Sequence, residues 1–505
     1  MKPTLPPRSS GVLLHPTSLP GPFGVGDLGP TAFRWVETLA AMRQSWWQIL
    51  PLGPTGAGDS PYQSYSAFAG NINLLSPELL AQDGLVKPAL WDGRFFRNDR
   101  VEYETVTPFK KALLRAAWDT FRAGGAPTGM RGEFDRYATR EVGWLDGYAL
   151  FMAVHDALDG RSLPDWPADL LRRVPSAVAA VEKELAGDVQ MHRFGQFLFD
   201  RQWNALREFA AERGVRVIGD APIFVSLDSA DVWCNPDQFL LDPDRRPTVV
   251  AGVPPDYFAA DGQHWGNPIY DWERMAQTGY TWWANRVRRD LARVDLVRLD
   301  HFRGFAQAWH IPASETTATR GKWVDGPGTP FFERLRADLG SLPFIAEDLG
   351  VITPDVDQLR DGAGLPGMKV IQFALDTPDN PYWPHNFADR RCACYTGTHD
   401  NDTAVGWWAT LDANSKGYLS AYVGHEVKDP AWELIRLAWG SVAEIAVAPL
   451  QDVLGLGGEA RMNKPGVAAG NWQWRFRTEQ FWPGAIDRLR GVTELYRRVP
   501  AEPEA

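Results

Sequence analysis

Eight short apolar runs, each ending in polar or Gly/Pro residues, recur along this chain, and helical stretches lie between several of them. They are residues 11–15 (GVLLH), 46–50 (WWQIL), 215–220 (VRVIGD) and 295–300 (DLVRLD). The second half adds 343–347 (PFIAE), 368–373 (MKVIQF), 391–396 (RCACYT) and 444–449 (EIAVAP). Helical patterns occupy residues 197–213, 282–293 and 331–339. Strands alternating with helices imply parallel βαβ units, because a parallel neighbour is reached only by a crossover. Eight of them, with polar residues at their ends, specify an α/β fold of the (β/α)8 TIM-barrel type. A doubly wound open sheet would also alternate, but no G-x-G-x-x-G follows the first run.

The spacing of the runs is uneven. Residues 51–214 separate the second from the third, far more than one helix needs, and carry helical patterns at 108–123, 144–157 and 178–185. This segment is expected to be a mainly α-helical insertion. A second insertion, residues 221–294, includes residues 249–272 (VVAGVPPDYFAADGQHWGNPIYDW), too rich in Gly and Pro for regular structure. Long loops in compact proteins are usually lids or binding loops, so 249–272 is expected to be a lid. The whole chain, residues 1–505, then reads as one catalytic barrel unit with inserted subdomains and long loops at its active end.

Composition excludes several partners. The formal charge is −11 and no Lys/Arg-rich run occurs, which argues against nucleic acid and against anionic membranes. No stretch approaches the ~18 apolar residues of a membrane span, and the N-terminus lacks the apolar core of a signal peptide. The final residues, RRVPAEPEA, read as a solvated tail. Cys234, Cys392 and Cys394 are too few and too odd in number for a disulfide framework, so a reducing cytoplasm is expected. Cys392 and Cys394 would share one strand face as small buried groups. The 23 tryptophans are unusual. Many serve as core, but Trp46, Trp47, Trp265, Trp282, Trp283, Trp407, Trp408, Trp472 and Trp474 stand in turn-rich, polar surroundings that suit the flat faces of sugar rings.

Carboxylates gather where strands hand over to loops: Asp220, Asp300, Glu347-Asp348 and the His399-Asp400-Asn401-Asp402 run. An isolated Asp in such a place is usually a helix cap. Several independent acidic strand ends favour a site, because barrel chemistry sits at the C-terminal ends of the strands. Arg298 and Asp300 point to one face of a strand, and an Arg beside a carboxylate favours the ionised form a nucleophile needs. Glu347 emerges from the apolar residues 343–346, surroundings that raise a carboxyl pKa toward that of a general acid. Glu347 is therefore chosen as the acid, with Asp348 as its structural neighbour or a loop cap. Two carboxyls tuned apart equip a glycosidase-type double displacement.

These stretches resemble the amylomaltases, or 4-α-glucanotransferases (disproportionating enzymes), of the α-amylase superfamily. The matching motifs are VLLHPTSLPGPFGVGDLG, SPYQSYSAFAGN, GDAPIFVSLDSADVW, AGVPPDYFAADGQHWGNPIYDW, VRLDHFRGF, IAEDLGVIT, YTGTHDNDT and RMNKPG…GNWQWR, in order from residue 10 to 477. The resemblance implies Asp300 as nucleophile, Glu347 as acid/base and Asp400 as the third carboxylate bracing the sugar; the His-Asp pair selects Asp400 over Asp402. It implies substrate-positioning roles for Asp220, Arg298, His301 and His399, with Tyr62 stacking beside the cleaved bond and Ser60 in the same motif. Gln263 and Trp265 would belong to the lid, and Phe373 and Asn463 would line the substrate. The chain differs locally at His310 and residues 315–322, which leaves acceptor preference unassigned.

The reaction implied is retaining transfer of α-1,4-glucan segments from a maltooligosaccharide, amylose or starch donor to the 4-hydroxyl of glucose or a glucan. The alternatives are an α-glucan hydrolase with weak transfer and a non-catalytic glucan-binding barrel. A lid carrying Tyr257, Phe258 and Trp265 would favour transfer by excluding water. An aldol-type barrel would want a Schiff-base Lys, and Lys369 is the only Lys within the eight runs. Paired carboxylates need no cofactor, no metal-ligand spacing stands out, and neither cofactor nor metal is expected. A monomer or small homo-oligomer is expected.

Overall fold

The structure, a computed structural model, describes residues 8–255, 260–375, 377–480 and 483–500. Its strands are β1 (Ser9–Leu13), β2 (Trp46–Gln48), β3 (Arg216–Pro222), β4 (Val249–Val253), β5 (Gln263–Pro268), β6 (Leu296–Asp300), β7 (Gln307–Pro312), β8 (Lys322–Asp325), β9 (Phe344–Ala346), β10 (Gly367–Val370), β11 (Cys392–Tyr395) and β12 (Ile445–Pro449). Eight form one parallel sheet in the order β10-β11-β12-β1-β2-β3-β6-β9. Its edges meet where Ala346 N–H donates to the Pro366 carbonyl at 2.8 Å, closing the (β/α)8 barrel. Each expected run is one of these strands. The boundaries move a little: β1 begins at Ser9, and β10 stops at Val370, where Ile371–Phe373 tightens into a 3-10 turn.

Alternation of side chains builds two cores. Leu13, Trp46, Ile218, Leu296, Ile345, Met368, Tyr395 and Val447 fill the barrel. Val12, Trp47, Val217, Val297, Leu299, Cys392 and Cys394 face outward into the layer shared with the helices. At the bottom of the barrel the Trp46 indole donates to Ser9 Oγ at 2.9 Å, with the Arg216 guanidinium 4.2 Å from its ring centre. Gly11 makes this possible, since a Cβ there would lie 2.5 Å from Trp46 Cβ. Trp46, Trp47 and Trp283 are thus core residues, not cleft walls. Burying an indole contributes about 4 kcal/mol, which outweighs the polar character of their sequence neighbours.

Between β2 and β3 lie the helices Tyr103–Arg122, Met130–Arg140, Val142–Ala157, Pro175–Glu184 and Ala186–Ala211. Their aromatic faces meet, with the Phe121 and Phe194 rings 4.3 Å apart. Asp200 on the last of them pairs with Arg289 and, at 3.1 Å, with Arg293 on the helix Thr281–Arg293, fastening the segment to the barrel.

Residues 249–272 depart from expectation. They hold β4 and β5, which pair antiparallel and join β7 and β8 in a second sheet of order β5-β4-β7-β8. The glycines do not prevent pairing: Gly252 sits beside a bulge, where a Cβ would lie 2.2 Å from the Gln263 carbonyl. The partner β7, far along the chain, supplies the ladder that local composition could not announce. Tyr257 and Phe258 lie outside the described residues.

Candidate active site

The inward parity of β3 and β6 brings Asp220 level with Arg298, their register partners. Gly219 allows the approach, because a Cβ there would meet the Val294 side chain at 2.8 Å. Arg298 Nη1 donates to both Asp220 oxygens at 2.8 Å, and Nη2 reaches Asp300 at 2.8 Å. The Tyr62 hydroxyl donates to Asp220 Oδ2 at 2.7 Å. Burial opposes the guanidinium charge, but the Asp220 and Asp300 carboxylates around it hold Arg298 well above its ordinary pKa. Of the three ionic side chains only Asp300, 26% exposed, opens outward.

Glu347 follows β9, which pairs with β6 so that Ala346 lies opposite Leu299. Asp300 and Glu347 therefore leave neighbouring strands at the same level. The Glu347 carboxyl accepts from His301 N–H at 2.7 Å and from Leu349 N–H at 2.9 Å. His301 can present its N–H this way because it adopts a left-handed conformation (φ 53°), uncommon for a residue with a side chain. Burial pushes the Glu347 carboxyl up to about 8; Arg298 opposes the rise and Asp300 adds to it. Asp348, next in sequence, turns to β10 and accepts from Met368 N–H.

The third acidic group is held from the far side of the barrel. Asp400 Oδ1 accepts from Asn463 Nδ2 at 2.6 Å and lies 3.3 Å from His399 Nε2. The Tyr62 ring stacks on His399 with centres 5.0 Å apart, and its hydroxyl lies 3.4 Å from His399 Nδ1. Asp402 is directed elsewhere: its Oδ1 accepts from Thr403 N–H, at the start of the helix Ala404–Thr410. Two residues without an assigned role join this side. Trp472 packs against both Tyr62 and His399, with centres 5.6 and 5.9 Å apart. Arg461 donates to the carbonyls of Asp400 and Asn463 at 2.6 and 2.7 Å. Trp472 belongs to the tryptophan-rich turns noted in the sequence; Arg461 binds main-chain oxygens, which no side-chain spacing marks.

Trp265, on β5, meets His301 edge to face at 4.8 Å, and its indole donates to Gln263 Oε1 at 3.1 Å. The second sheet thus reaches the residue beside Asp300. Burial lowers the His301 imidazole to about 4 against the pull of Asp300. Ser60 works on its own turn, accepting from Tyr62 N–H at 3.2 Å. Phe373, 42% exposed, sets its ring against Tyr382 and not in the Tyr62–His399–Trp472 stack. No group of three or more His, Cys, Asp or Glu side chains among the described residues could hold a metal ion.

Such an arrangement can pair one carboxylate with a buried Arg, keep another protonated at neutral pH, and brace a polyhydroxylated ligand between them. Comparison with known proteins agrees in kind. A family model described as 4-alpha-glucanotransferase matches residues 14–480. The 4-alpha-glucanotransferase of Synechocystis sp. is 47% identical, the match covering 97% of this chain and 98% of that protein. That of Thermus thermophilus is also 47% identical, covering 98% and 99%. Among solved structures, amylomaltase from Streptococcus agalactiae in complex with acarbose superposes with a TM-score of 0.94 at 36% identity, covering 97% of this chain and all of that one.

Proposed function

The chain belongs to the 4-alpha-glucanotransferase family, and from that premise we propose how its residues carry out the reaction. The enzyme transfers α-1,4-glucan segments between chains. In this reading a maltooligosaccharide, amylose or starch donor lies across the mouth of the barrel, with the bond to be cleaved between Asp300 and Glu347. Asp300 attacks the anomeric carbon while protonated Glu347 gives its proton to the glycosidic oxygen, and the reducing-end fragment leaves. The glycosyl group is then an ester of Asp300. The Glu347 carboxylate next takes the proton of an acceptor 4-hydroxyl on glucose or a glucan. That oxygen attacks the same carbon, and Asp300 is released. Two inversions give net retention.

Asp400, held by Asn463 and His399, braces the hydroxyls of the distorting ring, and Tyr62 stacks on it. Arg298, 2.8 Å from Asp300, orients that carboxylate for attack in the first step and stabilises it as it leaves in the second. Trp265 and Gln263 cover the acceptor side and disfavour water, which makes transfer outrun hydrolysis. The segments 51–214 and 221–294 act as subdomains that wall this cleft. The protein works in the cytoplasm, a reading supported by its sparse cysteines, and it acts as a monomer or small homo-oligomer.

The observation that carries the mechanism is the contrast within one site: Asp300 on an Arg298 bond of 2.8 Å, Glu347 buried and raised to about 8. Product analysis after incubation with maltotriose tests the activity. Glucose with a ladder of longer maltooligosaccharides is the expected outcome; hydrolysis products alone would overturn it. Asp300→Asn is expected to abolish turnover and leave maltooligosaccharide binding largely intact. A variant that still turned over would remove Asp300 from the nucleophile's role.

A further inference from the structure

Between β9 and β10 the barrel wall lacks the paired ladder that joins its other strands, and among the described residues one main-chain bond, Ala346 N–H to Pro366 O, crosses the seam. Asp348 stands at that seam, one residue beyond Glu347, and is 6% exposed. Its Oδ1 accepts from Met368 N–H on β10 at 2.7 Å, and its Oδ2 accepts from Arg360 Nη1 at 2.5 Å. Arg360, on the helix Pro354–Gly362, is steadied in turn by Asp357 at 2.8 Å and Asp361 at 2.9 Å. On the β10 side Gly367 leaves room for this carboxylate and for nothing more. A Cβ there would lie 2.4 Å from Asp348 Oδ2, and its three nearest atoms all belong to the Asp348 carboxyl.

This lock bears on its neighbour. The Glu347 carboxyl hangs on two N–H groups: Leu349, immediately beyond Asp348, and His301, on the facing strand end. Both bonds persist only while the peptides from 347 to 349 keep one orientation. A three-residue strand with a single main-chain bond on its open side has little of its own to impose that orientation. We propose that Asp348 is a positioning residue for the transfer reaction: by tying the end of β9 to β10 and Arg360, it keeps the Glu347 carboxyl aimed at the glycosidic oxygen. The proposal rests on Glu347 being the acid/base. The plainer reading is that Asp348 only closes the barrel, in which case its loss would cost stability without regard to the leaving group.

The leaving group separates the two. An alcohol leaves only with a proton from the acid, whereas fluoride leaves unaided. Single-turnover cleavage of maltotriose and of α-maltosyl fluoride is therefore compared for the parent, Asp348→Asn, Gly367→Ala and Glu347→Gln. Asp348→Asn keeps size and shape but loses the charge that holds Arg360, and Gly367→Ala displaces the carboxyl from the other side without changing a charge. Both variants are expected to cleave maltotriose about 10- to 100-fold more slowly, the scale of a small misplacement of a reacting group. Their KM should stay within about twofold and their fluoride release within about threefold of the parent. Equal losses on both donors, or unchanged cleavage of maltotriose with a lowered melting temperature, would reduce Asp348 to barrel closure and overturn the proposal. Glu347→Gln is the control: if it loses both donors equally, the acid/base assignment itself fails and the proposal falls with it.

Discussion

Glu347 shows how much one side chain owes to its surroundings. In the folded protein its carboxyl is raised from 4.5 to about 8, first by burial, with Asp300 adding repulsion and Arg298 and two N–H groups opposing. It is therefore protonated at neutral pH; if it is the acid proposed above, cleavage should hold its rate below about pH 8 and fall above it. The same shift has a sign for stability. The folded state retains a proton that the unfolded chain releases between 4.5 and about 8. Its contribution is thus fully present at low pH and is lost as pH rises through that window. Glu347→Gln removes the ionisation. Turnover should drop by about 10²- to 10⁴-fold, while the melting temperature, compared with the parent, should gain steadily from about pH 5 to 8. A difference that stays flat over that range would mean the carboxyl is not held protonated by burial. Of the site residues, Asp300, Glu347 and Arg298 were readable from strand parity and neighbours alone. Arg461 was not, because its partners are carbonyl oxygens.

At the scale of elements, the second sheet decides which side chains stand beside His301. Trp265 sits on β5, edge to face with His301 at 4.8 Å, so the ladder β5-β4-β7-β8 fixes an indole beside the residue that follows Asp300. If Trp265 covers the acceptor side as proposed, Trp265→Ala should open that side to water. The hydrolysed share of the products is expected to rise about tenfold, with a smaller change in the rate of donor cleavage. Chromatography of the glucose-to-oligosaccharide ratio measures this, and an unchanged ratio would detach Trp265 from acceptor retention. The barrel strands were legible because apolar, β-branched or aromatic runs that end in polar or Gly/Pro residues recur. The hairpin was not, since its β7 partner is remote and its glycines mimic a loop.

For the whole molecule, buried Arg475 shows how distant segments are joined. It is 1% exposed and donates to the carbonyls of Leu19 at 3.0 Å, Gly21 at 3.0 Å and Arg97 at 2.9 Å. The loop after β1, the segment 51–214 and the chain bearing Trp472 thus meet on one guanidinium. Arg475→Met would leave these carbonyls without their donor in a buried place, at a cost of about 3 kcal/mol. The denaturant midpoint should fall accordingly, and KM for the donor should rise as Trp472 loosens against Tyr62. A midpoint equal to the parent's would show that the loop carbonyls find other partners.

What the amino-acid sequence determined by itself is local and periodic: eight strand runs, the parity that sets Arg298 and Asp300 on one face, the apolar lead-in to Glu347, and the helical character of the segment 51–214. These depend on propensity and alternation, which act over a few residues. Tertiary structure alone decided the rest. It placed Trp46 and Trp47 in the core, made a sheet of residues 249–253 and 263–268, turned Asp402 to a helix start while Asp400 stayed with Asn463, and put Asp348 across the open seam of the barrel. Each depends on a partner far away in the chain, and the identity of such a partner is set by closure of the barrel, not by any neighbouring residue.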